Sequence, residues 1–358
     1  MRIAQISPLC EPVPPEGYGG TERVVSYLTE ELVRQGHQVT LFASGDSRTA
    51  ASLVPGCARS LRKYPADGDP LTYHVLLAER VTQMAHRFDI LHFHIDHVHY
   101  PISRREHYRH VTTLHGRLDL PELQPLYDEF DDMPVVSISQ CQRAPVPQAN
   151  WVGTVLHGLP ADLFTYCGNP EGYLAFLGRI SPEKRADRAI EIATRLGMPL
   201  RIAAKVDAVD REYFAAQIEP LLTRPGITFV GEIGGSRKHE FLRNAGALLF
   251  PIDWREPFGL VMIEAMACGT PVVAWRGGSV EEVITEGVSG FVVDTIDDAV
   301  AAARRAFSLD RHACRAAFEA RFTAERMARD YIALYADLIG RRGERGERRA
   351  ATQGSHVD

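Results

Sequence analysis

The sequence predicts an α/β chain in which a doubly wound parallel sheet is built twice. Three observations predict it. The chain opens strand, glycine loop, helix, strand, which is a βαβ unit and implies a parallel sheet with helices on both faces. The same order returns after a polar Pro/Gly link at residues 159–172. And 358 residues leave room for about two domains of ordinary size.

The first strand is Arg2 to Leu9, a buried apolar run. A Pro/Gly-rich loop follows to Gly20. Thr21 is read as the N-cap of a helix to about Gln35, with Val24, Val25, Leu28 and Leu32 on one face and Gly36 as its stop. The next strand is His37 to Phe42. The glycine loop lacks the G-x-G-x-x-G spacing of a dinucleotide fingerprint, which disfavours a redox cofactor. Asp89 to His94 is another strand, and alternation puts His92 and His94 on one face. With His97 and His99 nearby, these invite a metal reading, but the spacing is not that of a helical pair and only Asp96 joins them. The carboxyl end of this strand, with His94, Asp96 and His97, is expected to face the cleft and touch an acceptor. Asp67-Gly68-Asp69 reads as a turn rather than a cation site, because Pro and Gly flank it. Val111 to His115, Val135 to Ser139 and Gly153 to His157 complete the first set of strands. A lone strand-end histidine such as His115 is more often structural than functional.

The second half begins with a strand at Tyr173 to Leu177. Arg179 stands at its carboxyl end and Lys184 at the start of the next helix, so two cations meet at one crevice, enough to neutralise a diphosphate without a metal. Further strands are Leu200 to Lys205, Ile227 to Gly231, Ala247 to Phe250, Pro271 to Trp275 and Gly290 to Val293. Lys205 ends its strand toward the same crevice, and Glu232-Ile233-Gly234 leaves its own toward a nucleobase. A last helix runs from Thr323 to Leu338. The Arg/Glu run after residue 340 is poor in apolar residues and predicts a disordered tail, with peripheral contact to an anionic membrane left open.

With 45% hydrophobic and 24% charged residues and a formal charge of −6, the composition is that of a globular protein and gives no reason to expect nucleic-acid binding. No run is long enough to span a bilayer, and the amino-terminal residues lead into a strand rather than a signal peptide. Cys10, Cys57, Cys141, Cys167, Cys268 and Cys314 are scattered without a C-x-x-C pair, which predicts reduced thiols and a cytoplasmic location.

The most informative stretch is 251–270. Pro257 is read into the first turn of a helix from Phe258 to Ala267, with Gly269 as its stop. Glu256 sits at the helix mouth and Glu264 eight residues on, about two turns deeper. Between them Phe258, Gly259 and Leu260 offer backbone N–H groups to an anion. Amides that hold a diphosphate, flanked by carboxylates that accept hydroxyls, suit a nucleotide sugar; acids at a helix start that merely favour its dipole are the plain alternative.

This Glu-seven-residues-Glu segment, with Phe258-Gly259-Leu260 inside it and Gly269 to Ala274 after it, resembles the signature of retaining glycosyltransferases of family 4. His115-Gly116 after two threonines resembles that family's Thr-x-His-Gly, and Gly178-Arg179 with Glu183-Lys184 its Gly-Arg … Glu-Lys. The resemblance runs to about residue 340. It implies the GT-B architecture, two Rossmann-like domains facing across a cleft: an acceptor domain over 1–160, a nucleotide-sugar domain over 161–318, a helix at 319–340 crossing back to the first domain, and the tail 341–358. The function it implies is transfer of a hexose from a nucleoside diphosphate sugar, UDP favoured, with retention and with neither cofactor nor metal. Glu264 would hold the ribose, Glu256 the sugar, and His115 a sugar hydroxyl. Arg179, Lys184 and the Phe258–Leu260 amides would hold the diphosphate, with Gly19 and Gly20 approaching it from the other domain; Lys205, where members of the family often differ, is a weaker candidate for the same cleft. An epimerase, hydrolase or phosphorylase of the same fold, or a non-catalytic nucleotide-sugar binder, are the other readings. The acceptor loops, 10–20, 60–75 and 94–108, carry no motif that names a small molecule, lipid or saccharide.

Overall fold

The computed structural model describes residues 1–17, 19–62 and 69–353, with side chains to 340. Its strands are β1 (Arg2–Ile6), β2 (Gln38–Ser44), β3 (Ser52–Cys57), β4 (Ile90–Phe93), β5 (His110–Thr113), β6 (Val135–Ser137) and β7 (Trp151–Thr154), then β8 (Tyr173–Arg179), β9 (Leu200–Lys205), β10 (Ile227–Gly231), β11 (Ala245–Phe250), β12 (Val272–Trp275) and β13 (Gly290–Val293). Among the described residues they form a seven-stranded sheet ordered β3-β2-β1-β4-β5-β6-β7 and a six-stranded sheet ordered β10-β9-β8-β11-β12-β13. Among the described residues every pairing of neighbouring strands is parallel, for example Ile3 against Val39 and Ile90. Helices cover both faces, so the central strands are buried throughout rather than at alternate positions; Ala245 to Phe250 is buried at every position.

The strand order reverses between β1 and β4 and again between β8 and β11, and in such sheets ligands gather outside the carboxyl ends at the reversal. Those ends carry the loops after β1, β5, β8 and β11, and the two sheets turn them toward each other.

The chain crosses between the sheets at two adjacent places. Leu159 N donates to Phe322 O at 2.9 Å and Ala324 N to Leu159 O at 2.8 Å. Gly158 lies so close to the returning chain that a Cβ there would be 2.3 Å from Thr323 O. Thr323 then caps the last helix, its Oγ1 accepting from Arg326 N at 3.2 Å. Met327, Ala328, Tyr331 and Tyr335 of that helix pack with Ile3, Val24, Leu28 and Val39, so the end of the chain is part of the first sheet's core.

Several local expectations differ from the structure. The last helix runs from Ala324 to Gln353, past the residue-340 boundary; Arg, Glu and Ala are good helix formers, and a lack of apolar residues does not by itself end a helix. Residues 354–358 of the tail lie outside the described residues. The helix of the signature stretch starts at Leu260 rather than Phe258, because Gly259 takes a left-handed conformation (φ 78°) as its N-cap and leaves Pro257 in the loop. The first helix spans Gly20–Arg34 with Gly19 as its cap. Of Asp67-Gly68-Asp69 only Asp69 is among the described residues, and its carboxylate accepts Leu71 N at 2.9 Å to cap the helix Pro70–Met84.

Candidate functional site

Between the sheets lies a cavity of about 510 Å³, with a smaller compartment of about 180 Å³ sharing part of its wall. Gly19, Gly20, Leu177, Gly178, Leu260 and Val261 line both. The start of the helix Leu260–Ala267 therefore stands at the junction. No side chain caps that helix, so its first amides remain available to an anion.

The two signature carboxylates fall on opposite sides of this corner. Glu256, in the loop before the helix, faces the larger compartment. Its Oε2 accepts from Lys184 Nζ at 2.5 Å and from Trp254 Nε1 at 3.2 Å. Lys184 Nζ in turn lies 4.8 Å from the centre of the Trp254 ring. The loop is held from behind by the Gly277-Gly278 turn. Ser279 N donates to Glu256 O at 2.9 Å, and Gly278 (φ 59°) passes so near that a Cβ would be 2.1 Å from Glu256 O. Glu264 faces the smaller compartment, almost wholly buried, paired at 2.5 Å with Lys238 Nζ. A buried carboxylate needs such a partner.

Arg179 lines the larger compartment and Lys205 the smaller, and Asp207 links them, 3.4 Å from Arg179 Nη1 and 2.8 Å from Lys205 Nζ. The hydrogen bond from Lys205, more than that from Arg179, holds the Asp207 carboxyl below its usual pKa. Arg179 also pairs with Glu183 at 3.0 Å. Glu232 and Ile233 border the smaller compartment. Phe258 and Gly259 line the larger one.

From the first domain, Gly19, Gly20, Thr21 and Glu22 bring the start of the helix Gly20–Arg34 to the cavity wall. Gly19 has φ 147°, and a Cβ there would lie 2.8 Å from Pro15 Cβ, so glycine is required for the loop to fold back. Burial raises the Glu22 carboxyl pKa. His115 lines the same cavity, and burial lowers its pKa to about 3, so the ring is neutral.

His94 and Asp96 are placed differently from one another. His94 is buried behind His115, 2.8 Å from its Nε2, and is not among the lining residues. Asp96 (φ 50°) is exposed past the end of β4 and lines neither compartment. His92 and His94 do share a face, ring centres 4.0 Å apart, and His92 is occupied by Tyr335 and Thr113. Among the described residues no group of three or more His, Cys, Asp or Glu is placed to hold a metal ion.

Four further residues belong to the walls and were not singled out from the sequence. His157 stacks on His115 at 5.3 Å, and Arg117, Trp254 and Lys238 line one compartment or the other. Only proximity in sequence pointed at two of them: Arg117 follows His115-Gly116, and Trp254 precedes Glu256. Lys238 sits on the short helix Gly235–Arg243, and its partner is made by tertiary packing alone.

Two doubly wound domains that enclose such a cavity between the carboxyl ends of their sheets make the GT-B architecture. The chain belongs to the glycosyltransferases: the model for Glycosyltransferase Family 4 matches residues 18–141 and that for Glycosyl transferases group 1 matches residues 168–321. A D-inositol 3-phosphate glycosyltransferase of Stackebrandtia nassauensis is 31% identical over 215 residues, covering 55% of this chain and 46% of that protein. The match thus spans about half the length of that curated relative. Among solved structures, AviGT4, a glycosyltransferase involved in avilamycin A biosynthesis, superposes with a TM-score of 0.74 at 24% identity, over 95% of this chain and 98% of its own. HepE of Anabaena, solved in complex with UDP and glucose, gives 0.72 at 18% identity, over 94% and 100%. The chain therefore shares the fold of these structures. Among the described residues no helix is long and apolar enough to cross a membrane.

Proposed function

We propose that the chain transfers a hexose from a nucleoside diphosphate sugar, UDP foremost, to an acceptor hydroxyl with retention at the anomeric carbon. The observation that carries this reading is the placement of Glu256 and Glu264 in adjoining compartments on either side of one uncapped helix start, with Lys184 and Lys238 opposite them. The ribose lies against Glu264, the sugar against Glu256, and the diphosphate bridges the corner between them. UDP is supported by the UDP-bound neighbour of this fold, and retention by the signature that spans Glu256 to Glu264.

In the reaction the bond from the anomeric carbon to the leaving phosphate oxygen breaks while the acceptor oxygen bonds to that carbon from the same face. The acceptor's proton passes to the departing phosphate oxygen. Negative charge grows on the diphosphate as this happens, and Arg179, Lys184 and the Gly259–Val261 amides stabilise it from fixed positions, so no metal is needed. Glu256 holds Lys184 in place and accepts from a sugar hydroxyl. Acceptors bind on the first domain's side, beside Glu22, His115 and Arg117.

A screen of UDP-, GDP-, ADP- and dTDP-sugars by thermal shift tests the donor, since a ligand that binds only the native state raises the melting point by mass action. UDP-sugars are expected to give the largest shift, and nucleotide release is expected to accelerate only when an acceptor is added, with EDTA present. A largest shift from another nucleotide would reject UDP. Release indifferent to acceptor would point instead to a hydrolase.

A further inference from the structure

Behind the cavity a chain of buried hydrogen bonds runs from the last helix to His115. Tyr335 OH lies 3.1 Å from Gln5 Nε2, Gln5 Oε1 lies 2.8 Å from His94 Nε2, and His94 Nδ1 lies 2.8 Å from His115 Nε2. The directions along it are coupled. A carboxamide oxygen only accepts, so His94 must carry its proton on Nε2. Burial lowers the His94 pKa far below the usual value, so its Nδ1 is bare and must receive a proton. His115 therefore donates through Nε2, and its own Nδ1 keeps a lone pair. That Nδ1 has no partner within the protein. At the other end Gln5 donates to the Tyr335 hydroxyl, which is free to donate to His92 Nδ1 at 2.6 Å. Turning the Gln5 carboxamide over would reverse every link and leave an N–H where the lone pair now lies.

Resting on the reading of His115 as a contact of the donor sugar, we propose that Gln5 and His94 are positioning residues that fix the tautomer of His115, so that a sugar hydroxyl meets an acceptor nitrogen and not a donor. Neither residue lines the cavity. Both are fully or almost fully buried, and β1 and β4, which precede or contain them, are adjacent at the sheet's reversal point. The unpartnered Nδ1 is the polar atom that bound sugar would satisfy, so the site recognises a hydroxyl group there and rejects a group that can only accept. Tyr335 ties this choice to the seating of the last helix.

Two measurements decide it. Histidine ¹⁵N resonances of the full chain without ligand, with His115 assigned by its loss in His115→Asn, should show a neutral ring protonated on Nε2; a proton on Nδ1 overturns the proposal. The second compares affinities for UDP and UDP-glucose. Gln5→Leu and His94→Leu should weaken UDP-glucose about three- to tenfold and leave UDP unchanged. His94→Asn, which puts an amide oxygen near the place of Nδ1, should recover most of the loss. Equal losses for UDP and UDP-glucose, or no loss, would overturn the proposal by making the chain merely structural. Should Gln5→Leu fail to fold, the resonances of the wild-type chain and the His94→Asn comparison still decide. Should the wild-type chain bind neither ligand, the donor assignment fails, and the ¹⁵N result alone judges the tautomer.

Discussion

Glu256 and Lys184 form the pair on which the chemistry turns, and each has a reason to be where it is beyond the other. Trp254 holds one Glu256 oxygen and lies beside the Lys184 ammonium, so neither charge is left to water alone. Glu256→Gln keeps the shape and removes the charge. Hydrogen bonds to charged groups contribute about 1.5–3 kcal/mol, so kcat/KM should fall roughly 10- to 100-fold while UDP still binds. Steady-state kinetics with calorimetric UDP binding checks both halves. Lys238→Met acts on the other side: it strands the buried Glu264 carboxylate, and urea denaturation should show a loss of about 3 kcal/mol together with weaker UDP binding. The carboxylates were legible in the sequence because their spacing around an apolar helix is itself the signal. Lys238 and His157 were not, since one is a charge on a short helix and the other a strand-end histidine. Only the fold brings them to the walls.

At the scale of the element, two glycines set the donor loop. Gly259 takes a left-handed φ, and Gly278 both takes one and presses on backbone. Gly259→Ala meets chiefly the flexible end of Met262 and should cost about 1–2 kcal/mol for the conformation. Gly278→Ala meets the Glu256 carbonyl, which cannot yield without moving the loop, and should lower the melting temperature further; calorimetry that ranks the two the other way would refute this account of the loop. Most strands were readable from apolar runs between turn residues. β3 was not, because Pro55 and Gly56 break the pattern of Ser52 to Cys57, and a strand can carry them only at an edge, which is where β3 lies. The helix Pro70–Met84 escaped for a different reason. It exposes Leu71, Val75 and Leu76, so its apolar residues do not fall on one buried face.

For the whole molecule, two features hold the domains in register. Glu282 of the second domain accepts from Gln140 N and Cys141 N of the first, each at 2.7 Å, and Ser139 Oγ donates to Pro257 O at 2.7 Å. Glu282→Ala should let the domains open, raising the radius of gyration in small-angle scattering without lowering UDP affinity. The first domain also buries an unusual set of neutral histidines. Burial holds His92, His94, His99, His115 and His157 below the ordinary histidine pKa. Their pKa values rise on unfolding, so the unfolded chain takes up protons below about pH 6.5 that the folded chain refuses. Stability is therefore complete above that pH and declines as the pH drops toward the folded values, by up to about 1.4 kcal/mol per pH unit for each ring. Thermal melts should be flat between pH 7 and 8 and fall steeply from pH 6 to 5. The two-domain plan and the returning helix could be anticipated from repeated βαβ order and from resemblance. The histidine cluster could be anticipated only in part: His92, His94 and His99 lie close together in the sequence, but His115 and His157 join them from the ends of other strands.

The central claim is that one helix start, flanked by Glu256 and Glu264, receives the diphosphate between two domains. A crystal structure with UDP-glucose tests it most directly. The account predicts the ribose hydroxyls on Glu264, the phosphates on the Gly259–Val261 amides with Arg179 and Lys184, and the glucose beside Glu256 and His115. A nucleotide seated elsewhere, or phosphates held by a divalent cation in place of those amides and side chains, would contradict it.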